Sequence, residues 1–108
     1  MAAYTLVVMT NPVEGRTDEY NNWYTNQHLA DVLRVPGFSA ARRFQVGEGF
    51  ESPHAYMALY EMETSDPGAV LGELTKRANT PDMPISEAMD ANVSMTLFKG
   101  ITPLMTAK

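Results

Sequence analysis

The sequence predicts an α+β domain with the element order β-α-β-β-α-β. Four short runs rich in apolar and β-branched residues read as strands, and two stretches repeat their apolar residues at helical spacing. Turn residues such as Asn-Pro, Pro-Gly and Asp-Pro separate them. With 108 residues the chain is expected to form one domain, 1–108, because two halves would each have too small a core.

The first strand is Tyr4 to Thr10 (YTLVVMT), apolar on both faces, as in a central strand covered on two sides. Asn11-Pro12-Val13-Glu14-Gly15 is turn chemistry. Thr17 is suited to cap a helix, with Asp18 and Glu19 in the first turn where the helix dipole favours carboxylates. That helix should run from about residue 18 to residue 33 or 34, since Pro36 disfavours helical backbone at Val35 and Gly37 turns the chain out. Phe38 to Val46 follows as a strand, with Phe38, Ala40, Arg42 and Phe44 on one face and Ser39, Ala41, Arg43 and Gln45 on the other.

The segment GEGFESPHA fits a hairpin connection, with His54 in an exposed position beside Pro53. Ala55 to Met62 reads as the third strand, with Tyr56, Ala58, Tyr60 and Met62 sharing a side. Asp66 and Pro67 open a second helix as cap and first residue, and Val70, Leu71, Leu74 and Ala78 mark its buried stripe. An irregular connection over 79–91 leads to the last strand, Asn92 to Lys99, and the tail after Gly100 is left loose or docked on a partner.

This order is the ferredoxin-like βαββαβ plan, a four-stranded antiparallel sheet with two helices on one face. The other face would then expose Val7, Met9, Met57 and Leu59, more apolar surface than a solvated sheet carries. Sheet-to-sheet pairing into a homodimer covers it most simply.

Composition narrows the function. The formal charge of −5 disfavours nucleic acid and anionic membrane surfaces as partners. The longest apolar run, AYTLVVM, is too short to span a bilayer, and no signal-peptide pattern opens the chain, so a cytoplasmic protein is expected. There are no cysteines and only two histidines, far apart, so thiol chemistry is excluded and a metal site is not expected. No nucleotide-binding fingerprint is present, and no cofactor is expected.

The chemistry concentrates in the first helix, which holds the only tryptophan and one histidine in YNNWYTNQHLADVL. With Tyr20 at zero on a helical wheel, Trp23 falls at about −60°, Tyr24 at about 40°, Gln27 at about −20°, His28 at about 80° and Asp31 at about 20°. A plain core stripe would carry Leu or Val where Gln27, His28 and Asp31 stand. Two readings of His28 follow: a core imidazole bonded to Tyr24, Asp31 or a strand, or a general base in a pocket. Asp31 at i+3 would orient the ring, and Tyr24 at i−4 would donate to a substrate oxygen.

Around these, Tyr20, Trp23, Tyr56 and Tyr60 are either core aromatics or pocket walls. Arg42 and Arg43 point to opposite faces of their strand; Arg43 is preferred as a guanidinium facing the pocket, against a surface ion pair. Asn11 either caps a pocket mouth or only forms its turn. Met83, with Pro84, Ile85 and Met89, forms a lid, plugs the barrel end or contacts a second protomer.

The stretches YNNWYTNQHLADVL, VPGFSAARRF and YMALYEM, in this strand order, resemble the dimeric α+β barrel superfamily, most closely its EthD-like branch. The resemblance covers most of the chain. It implies a pocket between the sheet and the helices of one protomer. It also implies relatives that include cofactor-free polyketide cyclases, anthrone monooxygenases and methylmuconolactone isomerases. In several relatives a helix-one histidine is proposed to bind or deprotonate substrate, and His28 occupies that motif position. The chain departs from two-histidine relatives in having no second histidine in an equivalent place.

The sequence thus leads to a cofactor-free isomerase, cyclase, lyase or oxygenase acting on a small hydrophobic oxygenated molecule. His28, Tyr24 and Asp31 would be catalytic. Asn11, Tyr20, Trp23, Gln27, Arg43, Tyr56, Tyr60 and Met83 would bind substrate. The alternative is a non-catalytic homodimeric module that binds an apolar metabolite.

Overall fold

The computed structural model describes residues 1–108. Four strands, β1 (Ala2–Thr10), β2 (Phe38–Gln45), β3 (Tyr56–Thr64) and β4 (Ser94–Lys99), form one antiparallel sheet in the order β2-β3-β1-β4. Both helices pack on one face, as the ferredoxin-like plan requires. The core lies between them and the sheet. β1 contributes Leu6, Val8 and Thr10, β3 contributes Ala58, Tyr60 and Met62, and the helices contribute Tyr20, Tyr24, Val32, Val70 and Leu74, all buried.

The first helix spans Thr17–Trp23, a π-helical turn Tyr24–His28, and Leu29–Leu33. The Leu29 N–H reaches back five residues to the Tyr24 carbonyl. Such a turn delays the helical phase by about one residue, or about 100°. An uninterrupted helix would put Val32 near about 120° and Gln27 near about −20°; the delay moves them to about 20° and about −120°. Val32 is accordingly buried and Gln27 exposed, against the expectation that Gln27 shares the buried face. Thr17 is the first helical residue rather than a cap, and the preceding Arg16 pairs with Glu19 at 2.6 Å across the opening turn.

β2 carries the second irregularity. Phe38 pairs with Met62 and Ala40 with Glu61, so Ser39 is an extra residue between them. The bulge flips the pleat, placing Phe38 on the same face as Ala41, Arg43 and Gln45 instead of with Ala40, Arg42 and Phe44. Gly37 turns the chain into β2 with a φ of 109°, and a Cβ there would stand 2.6 Å from Val70 Cγ2.

The second helix, Pro67–Arg77, is capped as its sequence predicts, with Asp66 Oδ1 accepting from the Ala69 N–H at 3.1 Å. Ala78 is an exposed helix end rather than part of the buried stripe. β3 continues two residues beyond Met62, and β4 begins two residues later than Asn92. His54 is half-buried, with its Nε2 3.2 Å from the Asn92 carbonyl, rather than exposed.

The connection over 79–91 is irregular but fastened. The Val13 N–H donates to the Ala88 carbonyl at 2.6 Å and the Asp90 N–H to that of Asn11 at 2.8 Å. The outer face of the sheet has no helix over it. There Val7, Met9, Phe44, Met57 and Leu59 are only half-buried and Phe98 is 56% exposed.

Candidate active site

An apolar cavity of about 110 Å³ opens between the first helix, β1 and the 79–91 connection. Leu6, Val8 and Thr10 form its floor, Tyr24, His28 and Val32 one wall, and Met83, Ile85 and Met89 its cover. Tyr60 and Leu74 close the inner end, while Val93 and Met95, 38% and 56% exposed, stand at the mouth beside the start of β4.

His28 reaches this wall because of the π turn, which swings it inward together with Val32. Its ring stacks on Trp23, centroids 4.6 Å apart and planes 28° from parallel, and meets Tyr24 edge-on at 4.9 Å. Nδ1 is buried without a hydrogen-bond partner. Burial lowers the His28 pKa to about 4; Asp31 opposes that shift and Arg43 adds to it. At neutral pH the side chain is therefore an uncharged imidazole.

Across the cavity wall the Tyr60 hydroxyl donates to that of Tyr24 at 3.2 Å, which leaves the Tyr24 proton free for another acceptor. Burial pushes the Tyr24 pKa up to about 12, and Tyr60 is raised further by burial and by Tyr24. Both hydroxyls therefore stay protonated and act as neutral donors.

The sequence-predicted residues fall into three groups. His28, Tyr24, Tyr60 and Met83 line the cavity together, and Trp23 backs the imidazole while its Nε1 donates to the Pro84 carbonyl at 3.1 Å. Arg43, Tyr20 and Tyr56 form a second shelf behind Tyr24. The Arg43 Cζ lies 4.5 Å from the Tyr24 ring centroid, 5.3 Å from that of Tyr20 and 5.2 Å from that of Tyr56. Its two terminal nitrogens donate to Thr25 and Asn21, both at 2.9 Å, and Asn21 in turn donates to the Tyr56 hydroxyl at 3.1 Å. The Tyr20 hydroxyl bonds Thr10.

Asp31, Gln27 and Asn11 stand apart from the cavity. Asp31 is buried, but Oδ1 accepts from Arg34 and Oδ2 has no partner, so no hydrogen bond to His28 orients the ring. The phase delay carries Asp31 and Gln27 toward a polar groove that Arg34, Arg77 and Asp82 also line. Asn11 ties β1 to the β2–β3 loop, accepting from the Ala55 N–H at 2.7 Å and donating to the Pro53 carbonyl at 3.0 Å. Sequence reasoning did not select Thr10, Val93 or Met95. Strict alternation along β1 was the signal for Thr10, whereas Val93 and Met95 share one side of the last predicted strand, and which side faces the cavity follows only from that strand's pairing with β1.

No family model matches the chain, and no curated protein matches it in sequence. Solved structures do share its fold. The heme-degrader MhuD of Mycobacterium tuberculosis, with two hemes bound in its active site, superposes with a TM-score of 0.64 at 13% identity, over 94% of this chain and 99% of that one. The cofactor-independent oxygenase SnoaB of Streptomyces nogalater superposes with a TM-score of 0.58 at 16% identity, over 96% and 98%. An EthD family protein of Bacillus halodurans gives 0.52 at 12%, over 94% and 100%. The chain has the ferredoxin-like α+β fold that these proteins share.

Proposed function

We propose that this protein is a cofactor-independent enzyme that removes a proton next to a carbonyl in a small oxygenated apolar molecule. The observation that carries the reading is His28: an uncharged imidazole on the wall of an apolar cavity, with the freed hydroxyl proton of Tyr24 on the same wall.

In the proposed step the C–H proton passes to His28, giving an imidazolium and an enolate, and Tyr24 donates a hydrogen bond to the enolate oxygen. Burial works against the imidazolium, so the base is weak and suits a carbon acid whose anion is delocalised. The enolate then takes a proton at another carbon, attacks a carbonyl of the same molecule or reacts with dioxygen, according to the substrate. The fold likeness to a cofactor-independent oxygenase supports the last of these outcomes. Haem, bound by the Mycobacterium protein, does not fit here: the cavity of about 110 Å³ has room for one ring, not a four-ring macrocycle.

The proposed unit is a homodimer joined through the outer sheet face, where Val7, Met9, Met57 and Leu59 stand without a covering helix. The chemistry is tested by deuterium wash-in. Phenylacetone, a one-ring ketone whose enolate is conjugated with its ring, should exchange its benzylic protons in D₂O faster with the protein than without it, and His28→Gln should abolish the gain. Equal rates with the wild type and the variant would refute proton abstraction by His28.

A further inference from the structure

We infer that the cavity takes a ligand with an uncharged single-ring head, whose apolar chain leaves over Met95 and Val93. The inference rests on the reading of this cavity as the ligand site and adds the chemical class it accepts. Size sets the first limit. A dry apolar cavity of about 150 Å³ accommodates benzene. This one, at about 110 Å³ and open toward Val93 and Met95, seats one six-membered ring with its outer edge in the mouth.

Charge sets the second limit. Of the fourteen lining residues twelve are hydrophobic, and the other two, Thr10 and His28, bring no positive charge at neutral pH. Thr10 is occupied by Tyr20. The guanidinium nearest the wall, that of Arg43, is not among the lining residues and has its terminal nitrogens bound to Thr25 and Asn21. A carboxylate inside would lose its water without gaining a cation, whereas a hydroxyl or ketone finds the Tyr24 donor and an imidazole nitrogen.

The mouth sets the third. Met95 and Val93 belong to the cavity lining and are also exposed, so the apolar lining runs onto the surface over two large side chains; Ala78, the other exposed lining residue, offers only a methyl group. A chain carried by the ring would cover both side chains, and each buried methylene would add to affinity.

The test is a calorimetric titration at pH 7 with phenol, 4-propylphenol and 4-propylbenzoate, with Trp23 fluorescence as a second signal because the indole stacks on His28. We expect 4-propylphenol to bind about tenfold more tightly than phenol, and 4-propylbenzoate to bind at least about 100-fold more weakly than 4-propylphenol. In Met95→Ser, an exposed position where folding is not at risk, the gain from the propyl chain should fall below about threefold. Three results would overturn the inference: the benzoate binding as well as the phenol, an unchanged propyl gain in Met95→Ser, or no binding by any of the three. Binding without deuterium wash-in would count against the proposed reaction and leave the ligand class standing.

Discussion

Trp23 and His28 lie face to face, ring centroids 4.6 Å apart, although five positions separate them in the sequence. In a regular α-helix residues five apart diverge by about 140°. Here the π turn brings them onto one ridge, and the same turn carries Gln27 out and Val32 in. Single π turns of this kind are often found at functional sites. Here it is what sets the imidazole against the cavity.

That placement has a consequence for stability. His28 protonates near pH 4 when folded and near its ordinary value of 6.5 when unfolded. Between those values the unfolded chain binds more protons, so the contribution is complete above about pH 6.5 and is lost as the pH falls toward 4. Chemical denaturation at pH 7 and pH 4.5 should show the wild type losing about 2 kcal/mol more than His28→Gln. Carboxylate effects occur in both proteins and cancel. Equal losses would show that the imidazole is solvated.

The tyrosine pair is expected to divide the work unequally. Tyr24→Phe removes the proposed donor to the enolate and should slow the wash-in reaction about 100-fold. Tyr60→Phe takes away only the hydroxyl that donates to Tyr24, so the loss should be about tenfold or less. Rate constants at saturating ketone separate the two; a larger loss in Tyr60→Phe would reverse the assignment.

Gly37 gives a test of the fold alone. Its φ of 109° and the 2.6 Å approach to Val70 leave no room for a methyl group. Gly37→Ala should cost about 2 kcal/mol or more, read from the denaturation midpoint. A midpoint within error of the wild type would mean that this turn is not as described.

The outer sheet face makes a separate prediction. Leu59 is half-buried there, with Val7 beside it on β1. Light scattering should give twice the chain mass for the wild type and the single mass for Leu59→Lys, with unchanged circular dichroism. A wild type of single mass would contradict the dimer.

Most of the fold was legible from local signals. A β-branched run apolar on both faces marked β1, alternation marked β3, and Asp66-Pro67 marked the second helix. The two irregularities were not. Neither the π turn at Tyr24–His28 nor the bulge at Ser39 carries Gly or Pro, and each is accompanied by a tertiary contact: Trp23 donating to the Pro84 carbonyl, and Phe38 against Tyr60. Their effect on the site is specific. A wheel of constant pitch puts Asp31 and Gln27 at the centre of the buried face and His28 at its edge; the phase delay turns all three together, which brings His28 inward and carries Asp31 and Gln27 off the cavity face. Tyr24 and Tyr60 were legible as candidates because large side chains on a helix or strand face must pack somewhere, and Met83 because it is a large apolar residue in an otherwise irregular connection. The mouth at Val93 and Met95 depends on which side of the last strand its pairing with β1 turns toward the helices, which the strand's own alternation does not record.

The central claim is that His28 is an uncharged imidazole facing a ligand. It is tested most directly by ¹⁵N NMR of the histidine ring, titrated with and without 4-propylphenol. The account predicts a pKa of about 4 in the free protein, and nitrogen shifts that move on adding the phenol. A His28 that titrates near about 6.5, the value of a solvated histidine, and ignores the phenol would contradict it.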